Sequence, residues 1–316
     1  MHLPWDTLEA SLQHYRMGPL LYASELELPE LAVTIPEPGN ALVTIRVGAV
    51  PSQIASPLAV SESCEANDQE FLLRLPGVGT YYVLNGTDVT VEPSAGGSTT
   101  DLRAYLLGNI FAVLCHQRGL LPLHASAIGT PRGAVAFLGN SGAGKSSLVA
   151  FMAQRGHTVV ADDICLLDPK APQNSRILPV APWLKLWRTT LDALGQSSAG
   201  LPRIFAEDDK YRFAMPADST PRALAEIVLL EWLPKGEHDA PRFERLAPVH
   251  ALHAVLELTY QSWLVRAIGH TESHFLRCGE ALRGVRVYRM RRPRGFEKMA
   301  RTLDALEAHM VEAILD

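Results

Sequence analysis

The sequence predicts an α/β fold preceded by a small, mostly antiparallel β domain. For the α/β part, an apolar run at residues 134–138 leads into a glycine-rich segment and a helical pattern at residues 146–155. A second apolar strand follows at residues 158–161. For the β part, residues 1–100 consist of short strand-like runs separated by turn residues. We therefore expect two domains, residues 1–100 and residues 101–316.

The glycine-rich loop (residues 139–146) fits the phosphate-binding P-loop pattern G-x-x-x-x-G-K-[ST]. Its glycines allow tight turns that aim backbone N–H groups inward, and the N-terminus of the following helix also attracts anions. In such a loop Lys145 would reach the β- and γ-phosphates of a nucleotide, and the Ser146 hydroxyl would bind Mg²⁺. The alternative is a glycine-rich turn without a ligand, which the complete motif between a strand and a helix disfavours. The predicted nucleotide contacts are Gly139, Asn140, Ser141, Gly142, Ala143, Gly144, Lys145, Ser146 and Ser147.

Two carboxylates, Asp162 and Asp163, follow the second apolar strand. At the carboxyl end of a strand beside the loop strand, they would face the bound phosphates. One can hold Mg²⁺, and the other can take the proton from an attacking hydroxyl. The alternative is a pair that caps the next turn, which is a common role of aspartate.

Other candidate residues each have two interpretations. His124, in an apolar strand-like setting, is either a core residue or a site residue. Lys210 and Arg212 either balance phosphate charge or lie on an exposed turn. Residues 179–187 form either a substrate groove or core packing. The arginine-rich residues 283–294 either bind an acidic leader or substrate, or form a solvated face.

Composition excludes several classes of protein. The net charge of −5 gives no electrostatic case for a nucleic-acid partner. The four cysteines form no C-x-x-C pair, which disfavours a disulfide framework and a zinc site and fits a reducing cytoplasm. The sequence contains neither a signal-peptide pattern nor an apolar run of membrane-spanning length. We expect a cytoplasmic protein without a membrane partner.

Local signals predict elements near the N-terminus. Asn85-Gly86 between two strand-like runs predicts a hairpin, and residues 52–67 are expected to form a polar loop. Residues 93–100 have the composition of a linker. A helix is expected from Asp101, as N-cap, to Gln117.

Three segments together resemble the HPr kinase/phosphorylase family, especially the bacterial HPr-kinase-related proteins. They are LHASAI around His124, FLGNSGAGKSS around Lys145, and RGHTVVADD ending at Asp163. The specific match runs from Leu120 to Asp163, and a looser likeness extends from near Leu26 to the C-terminus.

The resemblance implies a P-loop kinase domain akin to phosphoenolpyruvate carboxykinase. It implies transfer of the γ-phosphoryl group of ATP, or another nucleoside triphosphate, to a serine hydroxyl of a peptide or small protein, with Mg²⁺. Position by position, Lys145 and Ser146 would hold phosphate and metal, and Asp162 would be the base. Asp163 would support the metal, and His124 would stand near the reacting phosphate.

Two departures from the family limit what it implies. The HPr enzymes have glutamate where this chain has Ser147, and residues 179–187 replace a metal-binding Glu-Ile-Arg-Gly-Leu-Gly stretch. Phosphorylase activity and HPr as the substrate are therefore not implied. Similar kinases tailor ribosomal peptides, and those of lasso-peptide pathways phosphorylate a C-terminal serine of the precursor, which we expect here by analogy.

Two other functions stay open. One is a nucleotide-gated peptide-binding adaptor without phosphotransfer, and the other is a kinase of a small hydroxylated metabolite. The sequence also leaves a homo-oligomer open.

Overall fold

The computed structural model shows a mixed α/β protein with several sheets. The residues that the structure describes are 12–36, 41–168, 175–181, 183–215, 220–234, 237 and 240–312. They form two compact units. Unit 1 lies within Met1–Arg118 and Trp263–His270, and unit 2 within Gly119–Ser262 and Thr271–Asp316.

The helical segment after residue 100 belongs to unit 1, whereas the sequence predicts it in the second domain. Its side chains and carbonyls bind the sheet of unit 1. The Tyr81 hydroxyl donates to the Leu102 carbonyl (2.8 Å), and Arg103 pairs with Glu30 (2.9 Å). The Arg118 guanidinium donates to the Gly86 carbonyl (2.6 Å). These contacts move the boundary from residue 100 to Arg118.

In the described residues, unit 1 is built on a nine-stranded sheet in the order β3-β1-β2-β4-β9-β8-β7-β6-β5. The pairs β2–β4 and β4–β9 are parallel, and the other pairs are antiparallel. Asn85 (φ 55°) and Gly86 (φ 65°) form the tight turn between β8 and β9, as the sequence predicts. The strands are β1 (Gln13–Met17), β2 (Leu20–Ser24), β3 (Ala32–Val33), β4 (Ala41–Val47), β5 (Ala59–Val60), β6 (Cys64–Ala66), β7 (Glu70–Leu75), β8 (Gly79–Leu84) and β9 (Asp88–Pro93).

Two local expectations for unit 1 are wrong. Residues 52–67 are not a plain loop, because they contain β5 and β6, and β6 is buried against β7. The helical segment begins after Ser98, whose hydroxyl accepts from the Asp101 backbone N–H (3.2 Å), so Ser98 is the N-cap instead of Asp101. The segment comprises α1 (Thr99–Tyr105), a π-helical turn (Leu106–Ile110) and α2 (Phe111–Gln117).

The remaining elements belong to unit 2, apart from most of α6. The strands are β10 (Leu121–Leu123), β11 (Ala125–Thr130), β12 (Gly133–Leu138), β13 (Thr158–Ala161), β14 (Cys165–Asp168), β15 (Arg176–Leu178), β16 (Trp183–Trp187), β17 (Lys210–Ala214), β18 (Arg222–Trp232), β19 (Arg242–Arg245) and β20 (Arg286–Arg292). The helices are α3 (Lys145–Gln154), α4 (Arg188–Ala193), α5 (Pro248–Glu257), α6 (Ser262–Ala267), α7 (Thr271–Ala281) and α8 (Met299–Glu312), with a 3₁₀ turn at Phe296–Lys298. No helix in these described ranges combines the length and apolar character that a membrane crossing requires.

The central sheet of unit 2 has the order β13-β11-β12-β18-β20-β19, and β10-β14-β15 joins it at the start of β18. Strands β12, β18 and β20 are parallel, and β11 is antiparallel to both β12 and β13. Strand β12 alternates between two cores. Ala136 and Leu138 pack in the core that contains residues of α5 and α7. Val135 and Phe137 pack in the core of α3, α8 and the β16–β17 ribbon.

The second core contains a leucine whose truncation should lower the stability of unit 2. Leu148 of α3 is fully buried there, so Leu148→Ala should lower the free energy of unfolding by about 3 kcal/mol through lost burial and a cavity. Leu276 of α7 is 58% exposed, so Leu276→Ala should change it by less than about 0.5 kcal/mol. Urea unfolding of both variants checks this, and equal losses would contradict the core assignment.

Candidate functional site

Five strands bring side chains to one edge of the sheet of unit 2. Strand β12 ends at Leu138, where the glycine-rich loop begins. On one side of β12, β11 follows His124 and β13 ends just before Asp162. On the other side, β18 ends at Trp232 and β20 at Arg292. The strand directions place all these residues at the carboxyl edge of β12, where α/β sheets bind ligands.

The conformation of the glycine-rich loop requires glycine at two positions. Gly139 (φ 154°) and Gly144 (φ 79°) lie at positive φ. A Cβ on Gly139 would stand 2.9 Å from the Cβ of Ala143, and one on Gly144 would stand 2.6 Å from Nη2 of Arg292. A side chain at Gly139 is therefore excluded on steric as well as conformational grounds, and one at Gly144 would be strained and would displace the Arg292 guanidinium.

Lys145 lies inside the loop. Its ammonium donates to the carbonyls of Gly139 (2.7 Å) and Asn140 (3.3 Å), and the residue is 6% exposed. Burial lowers the pKa of Lys145 to about 8, although Asp163 and Asp162 act in the opposite direction. A cation is thus held at the N-terminus of α3, where an anion binds most favourably.

Trp232 and Arg292, which no sequence pattern pairs, contact the loop from two other strands of the sheet. They are register partners on β18 and β20. Arg292 donates through Nη2 to the Ala143 carbonyl (2.7 Å), and its guanidinium lies 4.2 Å from the ring centre of Trp232. The Trp232 indole N–H donates to the Gly142 carbonyl (3.2 Å). We call Trp232 and Arg292 the loop clamp.

The loop clamp changes the interpretation of the arginine-rich residues 283–294. Arg292 is 2% exposed, and burial lowers its pKa to about 10. Arg289 and Arg291 both pair with Glu231 and Glu244. The segment is therefore neither a uniform solvated face nor a free cationic surface.

Asp162 is held by two donors. Its Oδ1 accepts from the Ser126 hydroxyl (2.6 Å), and its Oδ2 accepts from the backbone N–H of Lys185 (2.7 Å). Burial raises the pKa of Asp162, although these hydrogen bonds act in the opposite direction. The first strand-end aspartate is thus connected directly to β11 and to the β16–β17 ribbon.

Asp163 faces the opening and carries the opposite pKa shift. It lies at φ 66°, a left-handed conformation, and its Oδ2 accepts from the Lys185 ammonium (2.6 Å). Burial alone would raise the pKa of Asp163, but Lys185 and Lys210 hold this pKa well below its usual range. Lys185 therefore binds both carboxylates, one through its backbone and the other through its side chain.

His124 stands beside Asp163. Its Nε2 is 3.9 Å from Oδ1 of Asp163, and its ring meets Tyr260 edge-on at 5.6 Å. Burial and the nearby Lys145 lower the pKa of His124 to about 4. The imidazole is accordingly neutral near pH 7, and it can act there as a hydrogen-bonding group without a charge.

The β16–β17 ribbon lies beside the site, with one set of its side chains in the core and the alternate set at the pocket. Leu184 and Leu186 are buried in the core. Lys185 and Trp187, on the alternate positions, reach the opening. Lys210 is paired with Trp187 and lies 5.8 Å from its ring centre, whereas Arg212 lies 5.9 Å from the ring centre of Trp183.

These elements line an open pocket of about 270 Å³. Nine of the predicted site residues line this pocket: His124, Ser141, Gly142, Gly144, Lys145, Ser146, Ser147, Asp163 and Lys210. Lys185 and Trp187 of residues 179–187 and Arg292 of residues 283–294 also line it. Residues outside every predicted segment add Thr189, Thr190, Trp232, Gly295, Phe296 and Met299. Five predicted residues lie outside the lining: Gly139, Asn140, Ala143, Asp162 and Arg212.

The residues of the pocket fit a polyphosphate and a hard cation. The loop and Lys145 offer positive groups, and Ser146 and Asp163, which both carry side-chain oxygens, line the pocket. Mg²⁺ is typically bound by one or two carboxylates together with substrate phosphates and water. No group of three His, Cys, Asp or Glu residues in the described ranges could hold a metal ion alone. Phosphate oxygens would have to complete the coordination.

The loop clamp yields a prediction about local stability. Arg292→Met keeps a long apolar side chain but removes the donors to the loop carbonyls, so amide hydrogen exchange at residues 142–145 should rise at least about tenfold. Arg291→Met, on the exposed neighbouring position, should leave that exchange unchanged. Equal exchange in the two variants would show that the clamp does not support the loop.

No protein-family model and no curated protein sequence matches this chain. Among solved structures it is similar to the Hpr(Ser) kinase/phosphatase from Coxiella burnetii, at 14% sequence identity and a TM-score of 0.32. The match covers 60% of this chain and 98% of that one. Such a distant likeness concerns the fold alone.

Proposed function

We propose that this protein is a Mg²⁺- and ATP-dependent kinase that transfers the γ-phosphoryl group to a serine hydroxyl of a peptide or small protein. The observation that carries the proposal is the arrangement of the pocket. Lys145, Ser146 and Asp163 line it together, and Asp162 directly precedes Asp163 after the end of β13. Phosphate-binding and proton-accepting groups therefore meet at one sheet edge.

Each group of residues has its own role in the proposed reaction. The backbone of the glycine-rich loop and Lys145 hold the β- and γ-phosphates. Ser146 and Asp163 would hold Mg²⁺, which when bound neutralises charge on the phosphates. Lys185 and Lys210 face the same pocket, so they offset negative charge that develops on the transferring group.

Asp162 is the proposed base. A carboxylate offers about four lone-pair sites, and two donors are in place: the Ser126 hydroxyl and the Lys185 backbone N–H. Sites therefore remain for the proton of the acceptor hydroxyl. Asp162 lies behind the pocket lining, so the proton reaches it directly after a small adjustment or through one water.

The choice of acceptor rests on the family resemblance of residues 120–163. We propose a peptide acceptor, and specifically the C-terminal serine of a ribosomal (lasso) precursor. Phosphorolysis is left out of the proposal because Ser147 stands where the HPr enzymes have glutamate. Its hydroxyl hydrogen-bonds to Thr190 (2.9 Å).

One observation favours a second candidate, a nucleotide-gated peptide-binding adaptor. The Lys185 ammonium neutralises Asp163 at 2.6 Å, in the position where a kinase would place its metal ion. If that ion pair persists when nucleotide is bound, the protein would bind nucleotide without transferring phosphate. The two candidates differ in whether a phosphorylated product forms.

Intact-mass analysis of a serine-ended precursor peptide incubated with Mg-ATP tests the kinase. The wild-type protein should add one phosphate. Asp162→Asn should slow this by about 10²–10⁴-fold, the usual contribution of a general base, while ATP binding persists. Lys145→Ala should abolish both binding and transfer.

Asp192→Asn, on an exposed position of α4, is the matched control and should retain the wild-type rate. Wild-type transfer by Asp162→Asn would show that the base is wrongly assigned. ATP binding without any product, across peptides ending in serine, would favour the adaptor.

A further inference from the structure

The pocket has two ends of different chemistry, on opposite sides of β12. His124 and Asp163 come from the side of β11 and β13. Phe296 and Met299 follow β20 on the other side and form an apolar wall together with Thr190 of α4. We infer that this wall binds the nucleobase by stacking, with little distinction between adenine and guanine. The inference rests on the proposed function.

The orientation of the bound nucleotide follows from the position of the glycine-rich loop. Lys145 reaches the β- and γ-phosphates, so the γ-phosphate faces the carboxylates and His124. The α-phosphate and the nucleoside must then leave toward the opposite end of the pocket. That end is occupied by the apolar wall.

Helix α3 connects the loop to this wall. Ser147 and Phe151 are four residues apart and share one face of α3. Ser147 hydrogen-bonds to Thr190 (2.9 Å), and the ring centre of Phe151 is 5.9 Å from that of Phe296. The aromatic part of the wall, Phe296, therefore lies one helical turn beyond Ser147, which leaves room for the sugar between the phosphates and the base.

Phe296 is available for stacking. It follows Gly295, whose φ of 102° turns the chain at the end of β20, and it remains 38% exposed although it lines the pocket. Met299 lies beneath it and is buried. An exposed aromatic ring at the end of a phosphate-binding pocket offers a flat apolar surface to a base.

Two polar groups near the wall are already engaged. The Thr190 hydroxyl is shared with Ser147, and the Trp232 indole N–H is bonded to the loop. Phe296 and Met299 bring no hydrogen-bonding group that could read a base edge. Recognition by stacking alone tolerates either purine, because every base offers a π-face.

Calorimetric titration of the full chain with ATP, GTP and inorganic tripolyphosphate, each with Mg²⁺, tests the inference. ATP and GTP should bind within about fivefold of each other, and both at least about tenfold more tightly than tripolyphosphate. Phe296→Ala should weaken both nucleotides about tenfold and leave tripolyphosphate unchanged. Phe296→Tyr should restore nucleotide binding. Phe275→Ala, at a 50% exposed position on α7, is the control and should change nothing.

Three results would overturn the base site: equal binding of ATP and tripolyphosphate to the wild-type protein, an equal effect of Phe296→Ala on both, or more than hundredfold discrimination between ATP and GTP. Unchanged tripolyphosphate binding in Lys145→Ala would instead refute the phosphate site of the proposed function. The two failures are therefore distinguishable. Thermal unfolding of Phe296→Ala separates a loss of contact from a loss of fold.

Discussion

The burial of β12 on both faces is the constraint on which the site depends. Phe137 packs into one core and Leu138 into the other, so the strand can neither rotate nor slip without exposing apolar surface. The glycine-rich loop starts at the next residue. Its position is therefore set by the sheet, and the loop clamp then fixes its carbonyls from the neighbouring strands.

Charge balance within the pocket explains which ligand the site attracts. Lys145, Lys185, Lys210 and Arg292 line it, against the carboxylate of Asp163. Burial makes this surplus of positive charge costly, as the lowered pKa values of Lys145 and Arg292 show. A polyphosphate would relieve that cost. Lys185 contacts the two aspartates in different ways. Its ammonium pairs with Asp163, and its backbone N–H donates to Asp162.

Local motifs carried enough information to predict nine of the residues that line the pocket. The strand, loop and helix at residues 134–154 and the aspartates after β13 lie where the pattern predicts them. Lys185 was missed because nothing in residues 179–187 distinguishes the face that meets the pocket from the face in the core. Arg292 was missed because it looks the same as Arg291 in sequence. Only the register of β18 against β20 buries one arginine and exposes the other. Arg212 was expected near phosphate, but its guanidinium lies over Trp183 outside the pocket lining.

The most direct test of the central claim is a crystal structure with Mg²⁺ and a non-hydrolysable ATP analogue. The account predicts the β- and γ-phosphates within hydrogen-bonding distance of Lys145 and of the backbone N–H groups of residues 142–146, with Ser146 and Asp163 bound to the metal ion. An analogue bound elsewhere, or Lys145 still bonded to the Gly139 carbonyl with no phosphate in the loop, would contradict it.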